Sequence, residues 1–529
     1  RKISALSADR SVASVSNCVA NAGTLKGYWY GDSIIAAMQT LPAEIYSVAA
    51  VREIDRAATN DEGIPGYSLM ARAGAAAMRF ARERFADARR WQVVCGAGNN
   101  AGDGYIVARL AAGDGILVSV VALGDPASLS GDAAAAYGDF TAEGGVVMPW
   151  SGELDADADL IIDAMLGSGC TRDVSGDFAA AVTAVNGHAA KVLALDVPTG
   201  VHGDSGDVLG CAVRADATVT FVGLKAGLFL GDGPEYSGEV VFDGLAIPDA
   251  CRAASSATFR RVDDSALRRH LLRRDRKAHK GDFGHVLVIG GGAGMPGAVR
   301  LCGEAALRAG AGRVSIATDP RHAAAIVSSR PELMCHAINN AKDLSQLVEN
   351  TDVIVFGPGL GQSDWARDLY TVVAGDERPC VWDADALNLL ASSPATCANR
   401  IVTPHPGEAA GLLGSSAASV QADRSAALEA LEQQCGGVVV LKGAGTLTTA
   451  ADGPPWLCTA GNPGMAAPGM GDVLGGIIAA LLAQGLSLEA AAVMGVEVHA
   501  RAGDRAAADG ERGLLASDLL LELRGIVNP

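Results

Sequence analysis

The pattern of hydrophobic and polar positions becomes regular from Leu41 onward. Short runs rich in β-branched residues alternate there with Ala-, Leu- and Arg-rich stretches of helical character. This alternation is typical of parallel βαβ units, in which a helix connects one strand to the next. The strands predicted for the first half are Gln92–Cys95, Leu117–Leu123, Leu160–Met165, Lys191–Val197 and Ala217–Val222. Those predicted for the second half are His285–Gly290, Arg313–Thr318, Asp352–Phe356, Pro379–Asp383, Arg400–Thr403 and Val438–Lys442.

The alternation is interrupted between Pro248 and about Val262, where small and polar residues replace the periodic pattern. The pattern therefore predicts two α/β domains, over residues 41–250 and 263–527, joined by a linker over 251–262. Residues 1–40 are rich in Ser and Ala and show no sustained periodicity. We expect them to be an extraneous or disordered leader, with Met38 as the natural start, although a transit-like segment is the alternative.

Composition excludes several classes of protein. The chain has 529 residues, 49% hydrophobic and only 19% charged, which is far from the composition of disordered proteins. A formal net charge of −18 argues against broad electrostatic binding of nucleic acid or anionic membranes. No run reaches the ~18 apolar residues that a spanning helix needs. Eleven cysteines occur without C-x-x-C spacing, so we expect a reducing, cytoplasmic compartment.

Polar residues that follow predicted strands are the candidates for chemistry, because ligands of open parallel sheets bind beyond the carboxyl ends of the strands. Three such motifs occur in the first half: GAGNNAGDGY at 96–105, DAMLGSG at 163–169 and DVPTG at 196–200. Gly96, Gly98 and Ala101 satisfy a loose dinucleotide-binding pattern, which alone is weak. The oxygen-bearing side chains suit a hard cation and ribose or phosphate recognition, and they are Asn99, Asn100, Asp103, Asp163 and Asp196.

These three motifs in this order, followed by TFVGLKAG, resemble the NAD(P)H-hydrate epimerase domain over about residues 41–249. The resemblance implies a Rossmann-like three-layer αβα fold that interconverts the R and S epimers at nicotinamide C6, with K⁺ in the crevice. It implies Asp196 as the acid/base residue and Asn100, Asp163 and Thr199 as K⁺ ligands. The substrate contacts that it implies are Asn99, Asn100, Ala101, Gly102 and Asp103, together with Gly167, Ser168, Gly169, Cys170, Thr171, Arg172 and Asp173.

Asp196 has two interpretations. An aspartate before a proline commonly caps a turn. A positioned carboxylate can also move a proton at the hydroxyl or ring nitrogen of a carbinolamine carbon, which epimerisation requires. The residues alone leave these interpretations about even, and the resemblance favours the catalyst.

In the second half, GNPGMAAPGMGD at 461–472 leads into the apolar segment VLGGIIAALLAQG. Glycine N–H groups and a helix dipole would converge there on an anion. Asp472 beside this anion site is suited to take a proton from a hydroxyl that attacks a phosphoryl group. For an isolated aspartate, a helix cap or first-turn acid would be the better interpretation.

Six further motifs precede GMGD: HKGDFGH, GMPGA, FGPGLG, DADALNLL, TPHPGE and LKGAGT. Together they resemble the ADP/ATP-dependent NAD(P)H-hydrate dehydratase, a ribokinase-like α/β fold, over about residues 259–527. The resemblance implies Asp472 as the base, with Mg²⁺ and ADP as cofactors. It implies hydrate contacts at Ala298, Gly361 and His405, and nucleotide contacts at Lys442, Gly443, Ala444, Gly445, Thr446 and Gly471.

The resulting hypothesis is a bifunctional metabolite-repair enzyme, cytoplasmic and homo-oligomeric, whose partners are small molecules: NAD(P)H hydrate and ADP. One alternative is a ribokinase-like kinase of a vitamin-type alcohol, with a nonenzymatic N-terminal binding domain. Two roles stay open for Lys225, which would either approach a substrate phosphate or cover a surface. Two roles also stay open for Glu408, which would be either a helix cap or an acid near magnesium.

Overall fold

The computed structural model describes residues 41–253 and 255–529, so the leader predicted over residues 1–40 lies outside the described residues. Nine strands lie in the described part of the first half: β1 Glu44–Tyr46, β2 Arg90–Cys95, β3 Leu117–Ala122, β4 Val147–Pro149, β5 Leu160–Ala164, β6 Lys191–Leu195, β7 Ala217–Phe221, β8 Leu224–Lys225 and β9 Glu239–Asp243. Seven helices accompany them: α1 Val48–Asn60, α2 Gly66–Arg84, α3 Asn99–Gly113, α4 Gly131–Ala142, α5 Gly176–Gly187, α6 Gly233–Ser237 and α7 Asp249–Arg252.

Seven of these strands form a parallel sheet in the order β4-β3-β2-β5-β6-β7-β9. Val94 and Ile161 point from this sheet into a core shared with Val182 of α5. On the opposite face, α3 approaches so closely that a β-carbon on Gly104 would stand 3.2 Å from Val93 Cγ1. The sheet therefore lies between two helical layers, which confirms the predicted three-layer α/β arrangement.

Ten strands lie in the second half: β10 Phe259–Arg260, β11 His285–Ile289, β12 Arg313–Thr318, β13 Met334–Ala337, β14 Val353–Phe356, β15 Cys380–Trp382, β16 Arg400–Val402, β17 Val438–Leu441, β18 Leu447–Thr448 and β19 Trp456–Leu457. Its helices are α8 Asp264–His270, α9 Pro296–Ala309, α10 Ala323–Ser329, α11 Ala341–Val348, α12 Asp364–Val373, α13 Asp385–Ser392, α14 Pro406–Leu413, α15 Ala417–Ala422, α16 Arg424–Cys435, α17 Met470–Ala483, α18 Leu488–Ala506 and α19 Ala516–Ile526.

The second sheet is parallel from β13 through β12, β11, β14, β15 and β16 to β17. Its strands alternate between two cores, because successive side chains point to opposite faces. Val286 and Val288 face a core with Ile477 of α17, whereas Leu287 faces a core with Leu369 of α12. All eleven strands predicted from the sequence are present, with ends within two residues of the prediction.

Two short strands of the first half extend the second sheet. Beyond β17 the order continues β18-β19-β10-β1-β8, so β1 and β8 join the same sheet as β17. Ile45, Leu224 and Leu228 accordingly lie in one core with Leu441 and Leu457. The segment predicted as a linker, 251–262, is not simply a connection, because it contains part of α7 and the strand β10. Pairing with chain far away in sequence orders it.

Candidate active sites

The three strand-end motifs of the first half meet at one edge of the sheet. They follow β2, β5 and β6, which are neighbours in that sheet. The 167–169 loop connects two of the predicted residues. A β-carbon on Gly167 would stand 3.4 Å from Asp196 Oδ2 and 3.4 Å from Asn100 Cγ. The sequence prediction that these motifs share one crevice is therefore confirmed.

Asp196 lies directly after β6 with a left-handed backbone, at φ 67°. Its side chain is 17% exposed, and its Oδ2 accepts a hydrogen bond of 3.2 Å from the Ser168 N–H. Burial alone would raise the pKa of the Asp196 carboxyl, but Lys225 and the hydrogen bonds at Ser168 outweigh it and lower that pKa. Asp196 is therefore a carboxylate at neutral pH, able to accept a proton.

Lys225, at the end of β8, supplies the compensating charge. Its ammonium group donates to Asp196 Oδ1, to Thr220 Oγ1 at 3.1 Å and to the Phe221 carbonyl at 2.6 Å. The side chain is only 2% exposed, so the interpretation that it covers a surface is wrong. Three acceptors hold the ammonium group against Asp196, which leaves it committed to that carboxylate.

Asp163 and Thr199 form a buried polar pair beside this crevice. Thr199 donates to Asp163 from both its backbone N–H, at 2.8 Å, and its hydroxyl, at 2.7 Å. Burial raises the pKa of Asp163 to about 6 against these hydrogen bonds. Among the described residues Asp163 has no cationic partner, and both polar atoms of the buried Asn100 side chain lack a hydrogen-bond partner.

The remaining residues predicted for the first site differ in burial. Ala101 lies inside α3 with helical backbone and is fully buried. Gly102 packs against Met70, and burial raises the pKa of Asp103, which also interacts electrostatically with Asp196. The exposed or half-exposed members are Asn99, Asp103, Gly167, Ser168, Gly169, Cys170, Thr171, Arg172 and Asp173.

The second site gathers at the N-terminus of α17. Lys442 follows β17, and its ammonium group donates to Asp383 Oδ1 at 2.7 Å. A β-carbon on Gly471 would stand 3.0 Å from Asp383 Oδ2 and 3.3 Å from Lys442 Nζ, so no side chain fits there. Asp472 lies in the same first helical turn. The sequence prediction that Asp472 and the Lys442 segment lie together agrees with this placement.

Asp472 has an unusual protonation equilibrium for an aspartate. Burial and the neighbouring Asp383 raise its pKa to about 7, although Lys442 opposes the shift. A carboxyl group with that pKa is half deprotonated near neutrality, which is the range in which a general base is effective. Its place at a helix N-terminus sets it beside N–H groups that can bind an anion.

His405 and Glu408 form a capping box at the start of α14. His405 Nδ1 accepts from the Gly407 N–H at 3.0 Å, and Glu408 Oε2 accepts from the His405 N–H at 2.8 Å. Glu408 Oε2 also lies 3.7 Å from Lys442 Nζ. Of the two interpretations for Glu408, the helix cap is therefore present. His405 is 57% exposed, so one face of its ring remains open to a ligand.

Ala298 and Gly361 lie on the opposite side of the same site. A β-carbon on Gly359, in the FGPGLG loop, would stand 3.0 Å from Ala298 Cβ. The Gly361 N–H donates to Asp385 Oδ2 at 2.8 Å, and Asp385 follows β15 together with Asp383. Ala298 therefore lies beside the FGPGLG loop, and Gly361 of that loop is held by the segment that carries Asp383.

Arg424, the first residue of α16, donates hydrogen bonds to the backbone at the predicted nucleotide loop, Lys442–Thr446. Arg424 donates to the carbonyl oxygens of Leu441 and Gly445, each at 3.1 Å. The Thr446 hydroxyl donates to the Gly443 carbonyl at 3.0 Å. These bonds hold the loop in a tight turn beside Ala444, which is exposed.

Sequence reasoning left Lys225 unassigned, and it missed Asp383 and Arg424 as parts of these sites. A signal existed for Asp383, because it lies at the end of a predicted strand, as Asp163 and Asp196 do. Lys225 and Arg424 act through side chains that reach residues far away in sequence, and no local pattern shows these contacts.

Comparison with known proteins identifies the family. A family model described as NAD(P)H-hydrate dehydratase matches residues 286–524, and one described as YjeF-related protein N-terminus matches residues 66–227. The bifunctional NAD(P)H-hydrate repair enzyme of Coxiella burnetii is 46% identical over 486 residues, covering 92% of this chain and 99% of that protein. The chain belongs to the family of bifunctional NAD(P)H-hydrate repair enzymes. The resemblance found in the motifs is thereby confirmed.

The chain is also similar to two further proteins. The repair enzyme of Escherichia coli K12 is 42% identical over 491 residues, covering 93% of this chain and 95% of that protein. The solved structure of the ADP/ATP-dependent NAD(P)H-hydrate dehydratase from Bacillus subtilis, crystallised with ATP and Mg²⁺, is 28% identical. It covers 50% of this chain and 96% of its own, with a TM-score of 0.46.

Proposed function

We propose that this member of the repair-enzyme family epimerises the R and S forms of NAD(P)H hydrate in residues 41–250. Residues 263–527 then dehydrate the S form to NAD(P)H at the expense of ADP. The observation that carries the proposal is the meeting of Asp472, Lys442 and Asp383 at Gly471, because it joins a base to an anion site. The kinase alternative finds no support in the family to which the chain belongs.

Asp196 is the proposed proton-transfer residue of the epimerase. Its pKa is held low, so it begins the reaction as a carboxylate and accepts the proton of the C6 hydroxyl of the substrate. Lys225 stabilises the charged form between turnovers. The Ser168 N–H fixes the other carboxylate oxygen, and the Asn99–Asp103 and Gly167–Asp173 segments surround the substrate.

The donor set beside Asp196 fits a potassium ion. Buried charges are normally paired or bound to a metal, yet no cation among the described residues compensates Asp163. The orphaned Asn100 Oδ1 offers a further oxygen, and Thr199 a third. When bound, K⁺ would supply positive charge beside the substrate. Asn100, Asp163 and Thr199 would hold it.

Asp472 is the proposed base of the dehydratase. It takes the proton from the C6 hydroxyl, whose oxygen then attacks the terminal phosphorus of ADP and releases AMP. The phosphoester oxygen next leaves C6 with its bonding electrons as phosphate, and C5 loses a proton, which restores the C5–C6 double bond. Hydrate and ADP thus become NAD(P)H, AMP and phosphate.

The charge around Asp472 fits a magnesium nucleotide. Asp383, Glu408 and Asp472 are three acidic groups around Lys442, Asp385 lies near Asp472, and a polyphosphate adds further negative charge. No group of three His, Cys, Asp or Glu residues arranged for a metal occurs within residues 41–253 and 255–529. Asp383 and Glu408 would hold Mg²⁺ together with the phosphates of the nucleotide. When bound, Mg²⁺ would neutralise the phosphate charge.

Loop Lys442–Thr446 and Gly471 are the proposed nucleotide contacts, and Ala298, Gly361 and His405 the proposed hydrate contacts. We also propose a homo-oligomer in the cytoplasm. The cysteines are consistent with a reducing compartment, since those in the described part of the chain are all free. Within that part, no helix is long and apolar enough to cross a membrane.

The test supplies mixed epimers of the hydrate with Mg²⁺ and either ADP or ATP, and follows the return of dihydronicotinamide absorbance. Full recovery indicates both activities, whereas recovery that stops at the S fraction indicates an inactive first site. We expect Asp472→Asn to abolish recovery and Asp196→Asn to limit it to the S fraction. Accumulation of a phosphoester without recovery of absorbance would instead identify a kinase.

A further inference from the structure

Arg52 of α1 is a cation without a partner at the edge of the first site. Its Nη2 lies 3.1 Å from the point at which a β-carbon on Gly169 would stand. Across residues 41–253 and 255–529 it makes no hydrogen bond, ion pair or ring contact. By contrast Arg56, one turn later on the same helix, pairs with Glu53 at 3.1 Å.

The position of Arg52 is fixed by the start of its helix. Ser47 caps α1 through a bond from the Ala50 N–H, and the Val48 N–H donates to Asp204 Oδ1 at 2.6 Å. A β-carbon on Gly203 would stand 2.5 Å from Val48 Cγ2 and 3.3 Å from Ser168 Cβ. Gly203 therefore lies against both the first turn of α1 and Ser168 of the 167–169 loop, and Arg52 Nη2 approaches the next residue, Gly169.

This loop also touches the proposed proton-transfer residue. The Ser168 N–H binds Asp196, and Gly169 follows it in sequence. The guanidinium group of Arg52 and the carboxylate of Asp196 thus approach adjacent residues of the 167–169 loop. A ligand bound beside Asp196 therefore lies close to Arg52.

The charge near Asp196 favours such a cation. The carboxyl groups of Asp103 and Asp196 lie close enough to interact electrostatically, and Lys225 is committed to Asp196. A dinucleotide adds the negative charge of its phosphates, which an acidic crevice repels. A guanidinium group binds phosphate oxygens through two parallel N–H bonds, and the missing side chain at Gly169 leaves room for that approach.

We propose that Arg52 binds a phosphate group of the dinucleotide hydrate and thereby supplies affinity to the epimerase site. This proposal rests on the proposed epimerase function. The phosphate is either the pyrophosphate, present in both hydrates, or the adenosine 2′-phosphate, present only in NADPH hydrate. Arg52 is a substrate-binding residue in this proposal, and it takes no part in proton transfer.

The test compares Arg52→Gln and Arg52→Lys with the wild type in the full chain. Epimerisation of the separate R epimers of NADH hydrate and NADPH hydrate is followed by chromatography. We expect Arg52→Gln to raise KM about tenfold or more with kcat nearly unchanged, and Arg52→Lys to raise it less. A rise for both hydrates assigns the pyrophosphate, and a rise for NADPH hydrate alone assigns the 2′-phosphate.

Arg56→Gln is the matched control, because Arg56 is an exposed arginine of the same helix that is already paired. Its KM should equal that of the wild type. Dehydration of the pure S epimer by each variant reports on folding in the same sample. The affinity of the wild type should also fall with added salt more steeply than that of Arg52→Gln.

Calorimetric titration with NADPH hydrate separates this proposal from the proposed function, because binding needs no turnover. A wild type that binds but does not epimerise contradicts the function, and weaker binding by Arg52→Gln then still supports the role of Arg52. Unchanged KM and binding for both hydrates in Arg52→Gln overturn the proposal. So does a lower kcat at unchanged KM.

Discussion

The carbonyl oxygen of Phe229 lies 2.7 Å from the point at which a β-carbon on Gly445 would stand. Phe229 follows the Lys225 strand of the first site, and Gly445 belongs to the proposed nucleotide loop of the second. The same segment is tied to the second sheet through β8, β1, β10 and β19. The backbone of the first half therefore contacts the loop that is proposed to bind ADP.

Replacing Gly445 by alanine tests this contact. Gly445 has φ +66°, and a methyl group there would meet the Phe229 carbonyl, so the loop must shift. We expect Gly445→Ala to weaken ADP binding about tenfold, measured by titration, with epimerase activity unchanged. Gly453→Ala is the control. Gly453 also has a left-handed φ, of +81°, but the atom nearest to a β-carbon there would be Arg260 Cζ, at 3.8 Å. Equal ADP affinity in both variants would contradict the argument.

The shared core predicts that the two halves unfold together. Leu228 is 1% exposed and packs in the core that contains Leu441 and Leu457. Leu228→Ala should lower the free energy of unfolding by about 2–5 kcal/mol. Because the core spans both halves, we expect one cooperative transition by fluorescence and by loss of either activity.

Leu521→Ala is the matched control, because Leu521 is 68% exposed, and its free energy of unfolding should change little. A Leu228→Ala variant whose two activities disappear at separate denaturant concentrations would show that the halves are independent.

The sequence predicted the central strands well, but it missed the sheet-edge strands β4, β9 and β13 and the short strands that join the two halves. The eleven predicted strands are buried parallel strands, whose β-branched runs are visible without knowledge of their neighbours. Strands β1, β8, β10, β18 and β19 have two or three residues, too few to show a period. Pairing with distant partners creates them, and this is why the predicted linker contains a strand.

A similar division holds for the sites. Asp163, Asp196 and Asp472 could be proposed because each follows a strand or begins a helix, and a motif surrounds it. The residues that set the charge of these carboxyl groups could not be proposed from the sequence. Lys225 lies 29 residues from Asp196, and Lys442 lies 59 residues from Asp383, so only the folded chain pairs them.

The electrostatics of Asp472 predict a pH shift in the second activity. Asp472 acts as a base when it is deprotonated, so the rate of dehydration should fall as pH drops through about 7. Asp383 is a like charge that raises this pKa, and Asp383→Asn removes it. We therefore expect the acid limb of kcat/KM to move to lower pH.

Asp364→Asn is the control for this profile, because Asp364 is fully exposed on α12 and should leave it unchanged. Epimerase activity measured on the same sample shows whether Asp383→Asn has folded. An acid limb that stays at its original pH would mean that Asp383 does not act on the base.

The orphaned side chain of Asn100 predicts a dependence on monovalent cations. Its buried Oδ1 has no partner among the described residues, and Asp163 of the proposed K⁺ site has no cation there, so K⁺ would satisfy both. We expect epimerase activity to fall at least several-fold when K⁺ is replaced by a large organic cation such as choline. Asn100→Ala should reduce the response to K⁺, and dehydration of the S epimer should not change. Equal epimerisation in both salts would contradict the K⁺ assignment.

The Lys225–Asp196 pair predicts a shift in the opposite direction for the first activity. Burial is the largest influence on Asp196, and Lys225 offsets it, so Lys225→Met should let burial raise the pKa of that carboxyl. The acid limb of epimerisation should then move to higher pH.

Because the pKa of Asp196 is depressed in the folded wild type, the stabilisation from the pair is present at neutral pH and lost as pH falls through that depressed pKa. The stability difference between wild type and Lys225→Met should therefore shrink in acid, measured by denaturant unfolding at several pH values. Lys191→Met, which removes an exposed lysine paired with Asp216, should change neither profile.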